Sequence, residues 1–126
     1  VGSRLQAWVR ADRDGAGRAY LGFDAGPEGC KSLVVAFNTG DFRFHDNPRY
    51  GYSELTSTDV RLEPRRWYFV ELEILDGGAA VGRLFDEDGA TPFATVRHTY
   101  PDGIGGQGIA LRTFGGVSAD SISLCP

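Results

Sequence analysis

The sequence is poor in the residues and runs that mark several classes of protein. Its 126 residues contain no methionine and a single lysine. No apolar run approaches the roughly 20 residues that a membrane-spanning helix needs, and no signal peptide is apparent. No lysine- and arginine-rich run stands out and the formal net charge is −4, whereas phosphate binding requires clustered positive charge. We therefore expect neither membrane insertion nor nucleic-acid binding.

The remaining composition is that of one globular domain. The chain is 41% hydrophobic and 24% charged, and its 18 glycines fall between short apolar runs. Glycines spaced in this way favour many short strands and turns over long helices. We expect a single domain over residues 1–126. Because methionine is missing, we also expect a processed chain or a module of a larger protein, tethered to other domains.

Alternation of apolar and polar residues predicts strands along most of the chain. Phe42 and Phe44 alternate with Arg43 and His45, so the two rings should face the core and Arg43 and His45 should face out to solvent. Residues 45–66 are predicted to form a long loop with one short strand. Nine strands are expected, in RLQAWVRAD, AYLGFD, SLVVAFN, DFRFHD, WYFVELEIL, AAVGRLFD, FATVRHTY, GIALRTF and DSISL. So many evenly spaced strands with Asp-Gly turns predict a two-sheet antiparallel sandwich.

Three segments of the C-terminal half occur in a familiar order. They are RRWYFVELEILDG, AVGRLFDEDG and GQGIALRTFGGVSADSISL. Over residues 65–124 the chain resembles the concanavalin A-like and laminin-G-like jelly-roll modules of extracellular bacterial proteins. The resemblance implies an all-β jelly-roll sandwich of the lectin and glucanase type. Many such modules bind carbohydrate without cutting it, and several hold a structural calcium ion.

Paired carboxylates on one strand raise the question of catalysis. Glu71 and Glu73 project from the same strand face, and Asp76 follows. Similar jelly-roll glucanases carry Glu-x-Asp-x-(x)-Glu on one strand, and two of the three carboxylates here are of the wrong type. Asp76 also abuts Gly77, which indicates a turn. No G-x-S-x-G motif accompanies the two histidines. We interpret the row as an ordinary strand face and expect no enzyme, with a glucanase-like hydrolase as the least favoured alternative.

Two kinds of structural site are also considered. The resemblance places an acidic calcium ligand at Asp120, with Asp24 as a weaker second candidate. The acidic turns that begin at Asp12 and Asp86 are not EF-hand loops, because they lack the glutamate that such a loop requires. Cys30 and Cys125 form an even pair in a glycine-rich β chain, which suggests a disulfide and hence a secreted or cell-surface protein. Two free thiols are the alternative.

The densest group of possible sugar-binding residues lies in RFHDNPRYGY. Aromatic faces stack on pyranose rings, and planar polar side chains bond to sugar hydroxyls. Residues in the polar phases of neighbouring strands would then share one sheet face. The predicted carbohydrate-binding residues are Tyr20, Asn38, Arg43, His45, Asn47, Arg49, Tyr50, Tyr52 and Arg112. A hairpin with a few packed tyrosines would also explain the segment.

These observations favour a non-catalytic, lectin-like module whose partner is a polysaccharide or glycan. Arginine with few aromatics favours a charged or hydroxyl-rich glycan over crystalline cellulose. The main alternative is a structural or adhesive module that docks protein through the same arginine- and tyrosine-rich loop.

Overall fold

The computed structural model describes residues 3–27, 29–48, 54–105 and 108–125. Within these ranges the chain forms ten strands and one short 3-10 turn at Asp76–Gly78. Among the described residues there is no helix long and apolar enough to cross a membrane. The strands are β1 Arg4–Ala11, β2 Arg18–Gly26, β3 Gly29–Ala36, β4 Asp41–Pro48, β5 Glu54–Asp59, β6 Trp67–Ile74, β7 Ala79–Phe85, β8 Pro92–Thr99, β9 Gly108–Phe114 and β10 Val117–Cys125.

The strands form two five-stranded antiparallel sheets that pack face to face. Sheet A has the order β10-β1-β6-β7-β8, and sheet B has the order β5-β4-β3-β2-β9. All nine predicted strands are present, and the predicted jelly-roll sandwich is confirmed. The tenth strand, β5, is the single short strand expected within residues 45–66.

The core lies between the sheets and follows the alternation of the sequence. Leu5 and Val9 of β1 are buried beneath sheet A, and Phe42 and Phe44 of β4 are buried beneath sheet B. Both phenylalanine rings have no exposed surface. Burying each such side chain contributes about 1.5–3 kcal/mol, so these alternating residues are a main source of the sandwich's stability.

One glycine permits close contact between the sheets. A Cβ atom at Gly82 of β7 would lie 2.5 Å from Cδ1 of Leu33, which belongs to β3 in the opposite sheet. The missing side chain therefore leaves space for Leu33, which is fully buried. The outer face of each sheet, directed away from this core, is then available for a site.

Candidate functional site

The outer face of sheet B brings several of the predicted residues into one row. Arg43 of β4 pairs with Val34 of β3, Val34 pairs with Tyr20 of β2, and Tyr20 pairs with Arg112 of β9. His45 lies two residues beyond Arg43 and therefore on the same face. Of the Tyr, His, Asn and Arg expected on one sheet face, the strands thus bring together Tyr20, His45, Arg43 and Arg112, while Asn38 lies in the turn after β3. Their assignment to carbohydrate binding stays a prediction.

The β4 half of this face is not open to solvent. Arg43 is 5% exposed and His45 is fully buried. The Arg43 guanidinium is paired with the Asp41 carboxylate and also donates to Oγ1 of Thr39 at 3.2 Å. The rings of Tyr20 and His45 pack edge to face, with 5.8 Å between their centroids. The expectation that both side chains are presented to solvent is wrong, because alternation determines the face and not what covers it.

The β2 and β9 half of the same face is open. The rings of Tyr20 and Phe114 stack with centroids 6.0 Å apart and planes inclined by 29°. The guanidinium carbon of Arg112 lies 5.9 Å from each of the two ring centroids, within the range of a cation–π contact. Phe114 is 41% exposed, Arg112 is exposed and Tyr20 is half-buried. We call these three residues the aromatic–arginine platform.

Two further residues border the platform. Arg18 pairs in register with Phe114, and its Nε donates to Oδ1 of Asn38 at 3.0 Å. The backbone amide of Asn38 donates to the carbonyl of Gly17, which holds this loop beside β2. The predicted site residues Tyr20, Asn38 and Arg112 therefore lie at one end of the outer face.

Sequence reasoning missed Phe114. It is apolar, yet it has the same strand phase as Arg112 and therefore shares the outer face with it. Its position depends on a close approach by Gly17, where an added Cβ would lie 2.9 Å from Cδ2 of the Phe114 ring. Alternation along GIALRTF was the signal that could have identified it.

The positive charge of the platform is that of the Arg112 guanidinium. Among the described residues it makes ring contacts, and no carboxylate forms an ion pair with it. Up to the irregularity after Gly22 in β2, the outer-face positions of β2, β3 and β9 that alternate with the core carry no acidic residue: they are Arg18, Tyr20 and Gly22, then Cys30, Ser32, Val34 and Ala36, and finally Gly108, Ala110, Arg112 and Phe114. This end of the face is positive on a chain whose net charge is −4.

Four predicted residues, at the end of β4 and in the segment that follows it, lie wholly or partly outside the described part. Asn47 has a described backbone, which pairs with Cys30, and its side chain is not described. Arg49, Tyr50 and Tyr52 lie outside the described residues. Their assignment to a binding site stays a prediction.

The carboxylate row on β6 lies on the outer face of the other sheet, sheet A. Arg83 Nη1 lies 3.0 Å from Oε1 of Glu71 and 2.9 Å from Oε1 of Glu73. Glu71 also accepts a hydrogen bond from Gln6 at 2.7 Å. The hydrogen bond to Glu73, together with that to Glu71, raises the pKa of Arg83. Both carboxylates are paired with Arg83 across the sheet, which matches the interpretation as a strand face, and Asp76 lies in the turn as expected.

The two candidate calcium ligands do not meet. Asp24 lies on β2 in sheet B, and its Oδ2 is 2.7 Å from Nζ of Lys31. Asp120 lies on β10 in sheet A, where its Oδ1 accepts from the backbone amide of Ser121. No group of three carboxylate, histidine or cysteine side chains that could hold a metal occurs among the described residues. Calcium also accepts backbone carbonyl ligands, so its assignment to Asp120, with Asp24 as the weaker candidate, stays a prediction.

The predicted disulfide is not formed, since Cys30 is a free thiol. Cys30 lies on β3, an interior strand of sheet B, in phase with Ser32 and thus directed away from sheet A. The backbone of Cys125 pairs with Arg4 in sheet A. Burial raises the pKa of the Cys30 thiol, and the negative charge of Asp46 adds to this. The inference of a secreted or cell-surface protein loses the disulfide on which it rested and stays a prediction.

Comparisons with solved structures place this arrangement among known folds. A carbohydrate-binding module, CBM66, from Bacillus subtilis superposes with a TM-score of 0.78 at 11% identity, covering 98% of this chain and 74% of that one. The fold is that of a concanavalin A-like jelly-roll module. The galectin LEC-6 of Caenorhabditis elegans matches with a TM-score of 0.65 at 18% identity, over 99% of this chain and 83% of that one. Chicken galectin 2 matches with a TM-score of 0.66 at 12% identity, over 97% and 88%.

At these identities the jelly-roll likeness concerns the fold alone. No family model and no curated protein matches the sequence.

Proposed function

We propose that the protein is a non-catalytic carbohydrate-binding module that holds its ligand on the aromatic–arginine platform. The observation that carries the proposal is the stack of the half-buried Tyr20 ring and the exposed Phe114 ring, with the exposed Arg112 lying over both rings. A jelly-roll fold shared with a carbohydrate-binding module and with galectins supports it.

Binding on this platform would combine two kinds of contact. The exposed Phe114 ring and the half-buried Tyr20 ring beside it offer apolar surface to the C–H face of a pyranose ring, and the Arg112 guanidinium offers N–H donors to its oxygens. Asn38 lies at the border of the platform, where its amide can donate to a second sugar oxygen. So small a contact area gives modest affinity, which tethering to a larger protein would amplify. A secreted or cell-surface location would bring the module to its glycan.

The Phe114 and Phe93 side chains provide a matched experiment. Phe114 is 41% exposed on sheet B and Phe93 is 46% exposed on β8 of sheet A. Binding of a broad polysaccharide panel is measured for the unmodified protein and for Phe114→Ala and Phe93→Ala. We expect Phe114→Ala to lose about tenfold in affinity, roughly 1.4 kcal/mol, and Phe93→Ala to bind as the unmodified protein does. Absence of binding to every polysaccharide, or equal losses in both variants, overturns the proposal.

One observation favours the alternative of an adhesive protein module. Ile109 of β9 and Ile122 and Leu124 of β10 are each about half exposed, at 48%, 50% and 54%. Strands β9 and β10 are edge strands of the two sheets, and an apolar edge can pair with a strand of a second copy. Light scattering over a wide concentration range tests this function. Self-association that is abolished by Ile122→Lys supports the alternative, and a monomer at all concentrations contradicts it.

A further inference from the structure

We infer that the aromatic–arginine platform recognises a carboxylate-bearing sugar, such as a residue of a hexuronic acid polysaccharide. The inference rests on the proposed function and narrows its ligand class. It depends on three features of the described residues: the exposed guanidinium of Arg112, the charge of the surrounding face and the donor character of the platform's polar groups.

The position of Arg112 is held by rings and not by a counter-ion. Its guanidinium carbon lies 5.9 Å from the centroids of both Tyr20 and Phe114, and it forms no ion pair with a described carboxylate. A planar guanidinium held in this way keeps N–H groups free to form two parallel hydrogen bonds. A carboxylate accepts such a bidentate pair, and bonds between two ionised groups are about twice as strong as bonds between neutral ones.

The surrounding face does not compete for this guanidinium. The outer-face positions of β3, β9 and the Arg18–Gly22 part of β2 carry no acidic side chain. Asp41 of β4 is already paired with Arg43, and Asp24 is paired with Lys31. An anionic sugar placed on the platform therefore meets no unpaired described carboxylate on these three strands, whereas the net charge of −4 repels it elsewhere.

The polar groups at the platform are mostly donors. Arg112 has five N–H donors and no acceptor, and Oδ1 of Asn38 already accepts from Arg18, which leaves the amide NH₂ to face a ligand. A neutral sugar hydroxyl both donates and accepts, so it would use this surface incompletely. A carboxylate only accepts, and its hydrogen-bonding capacity matches the donors that the platform presents.

The test compares matched polymers that differ only in charge. Several hexuronic acid polysaccharides, each with its carboxyl-reduced neutral counterpart, are titrated into the protein at low salt, together with dextran sulfate and dextran. We expect the acidic form of at least one pair to bind about tenfold more tightly than its reduced form, with a preference that falls as salt rises. Arg112→Gln removes the preference. Arg97→Gln, an exposed position on β8, keeps it.

Each result has a separate meaning. Equal or tighter binding of the reduced polymers, or a preference that persists in Arg112→Gln, overturns the carboxylate inference and leaves the proposed function standing. Binding to dextran sulfate without binding to any hexuronate also overturns it, because the anion is then a sulfate. Failure of all these polymers, while another polysaccharide of the broad panel binds, overturns the carboxylate inference alone, and failure of every polysaccharide of both sets overturns the proposed function itself. Unchanged thermal unfolding of Arg112→Gln shows that its effect is on binding and not on folding.

Discussion

The guanidinium carbon of Arg112 lies 5.9 Å from the ring centroid of Tyr20, on the strand that pairs directly with it. Because the two residues are directly opposite across antiparallel strands, neither can move without disturbing the other. Phe114, two residues further along β9, extends the same surface. An exposed arginine is thereby held in one place without a described counter-ion, which is the property that a ligand can use.

Changes at Tyr20 separate stacking from hydrogen bonding. Tyr20→Phe keeps the ring that contacts Phe114 and Arg112, so we expect glycan affinity within about threefold of the unmodified protein. Tyr20→Ala removes the ring and should lower affinity about tenfold. Titration calorimetry of both variants measures the difference. Equal, large losses in the two variants would show that the hydroxyl, and not the ring, binds the sugar.

The glycine at position 17 is predicted to be required for the platform. In Gly17→Ala the added Cβ would lie 2.9 Å from the Phe114 ring and also clash with the Phe114 carbonyl oxygen. We expect a loss of about 1–3 kcal/mol in the free energy of unfolding, together with weaker glycan binding because Phe114 is displaced. Gly26→Ala is the control, since a Cβ there meets no atom within 4 Å. Chemical denaturation measures both, and equal stabilities would contradict the prediction.

The carboxylates of β6 are predicted to stabilise the sheet and not to catalyse. Glu71→Ala removes the hydrogen bond from Gln6 and one ion pair with Arg83, in a side chain that is largely buried. We expect about 1–2 kcal/mol of destabilisation. Glu87→Ala, whose partner Arg66 lies 3.4 Å away on an exposed surface, should change stability by less than about 0.5 kcal/mol. Denaturation curves compare the two. Release of reducing sugar that is lost in Glu71→Gln would instead indicate a glucanase.

The free thiol predicts indifference to reducing agents. If Cys30 were bridged to Cys125, reduction would remove about 2–4 kcal/mol of stability. Because Cys30 is free, we expect the same melting temperature with and without dithiothreitol. A melting temperature that falls by several degrees on reduction would instead show that a disulfide is present. It would also support an extracytoplasmic protein.

The same thiol is predicted to react slowly at neutral pH. Its raised pKa, caused first by burial and then by Asp46, lowers the thiolate fraction at any pH below that pKa. Iodoacetamide should therefore modify Cys30 in a Cys125→Ser variant more slowly than it modifies a free cysteine. The rate should continue to rise at pH values where free cysteine has reached its plateau. A plateau at the ordinary pKa would contradict the assigned environment.

Much of the fold could be predicted from alternation alone. The phases of β1 and β4 placed Leu5, Val9, Phe42 and Phe44 in the core, because successive side chains of a strand face opposite sides. Asp-Gly turns predicted the short connections. The short strand expected within residues 45–66 is β5, and its bounds could not be predicted because it lies in a polar segment without strong alternation.

The site could be predicted only in part, because face and exposure are different properties. Alternation correctly placed Arg43 and His45 on the outer face. It could not predict that Arg43 pairs with Asp41 or that His45 packs against Tyr20, because a pattern does not specify neighbouring side chains. The prediction of a disulfide was wrong for a similar reason. An even number of cysteines does not show whether two of them are close enough to form a disulfide. Here Cys30 is directed away from the sheet that holds Cys125.

The most direct test of the central claim is a nuclear magnetic resonance titration of the ¹⁵N-labelled protein with the polysaccharide panel. If the aromatic–arginine platform is a carbohydrate site, a binding glycan will shift the backbone amides of residues 18–22 and 110–114, and Phe114→Ala will suppress these shifts. The outer face of sheet A, around Glu71, will be unaffected. Shifts confined to sheet A, or no shifts with any glycan, would contradict the account.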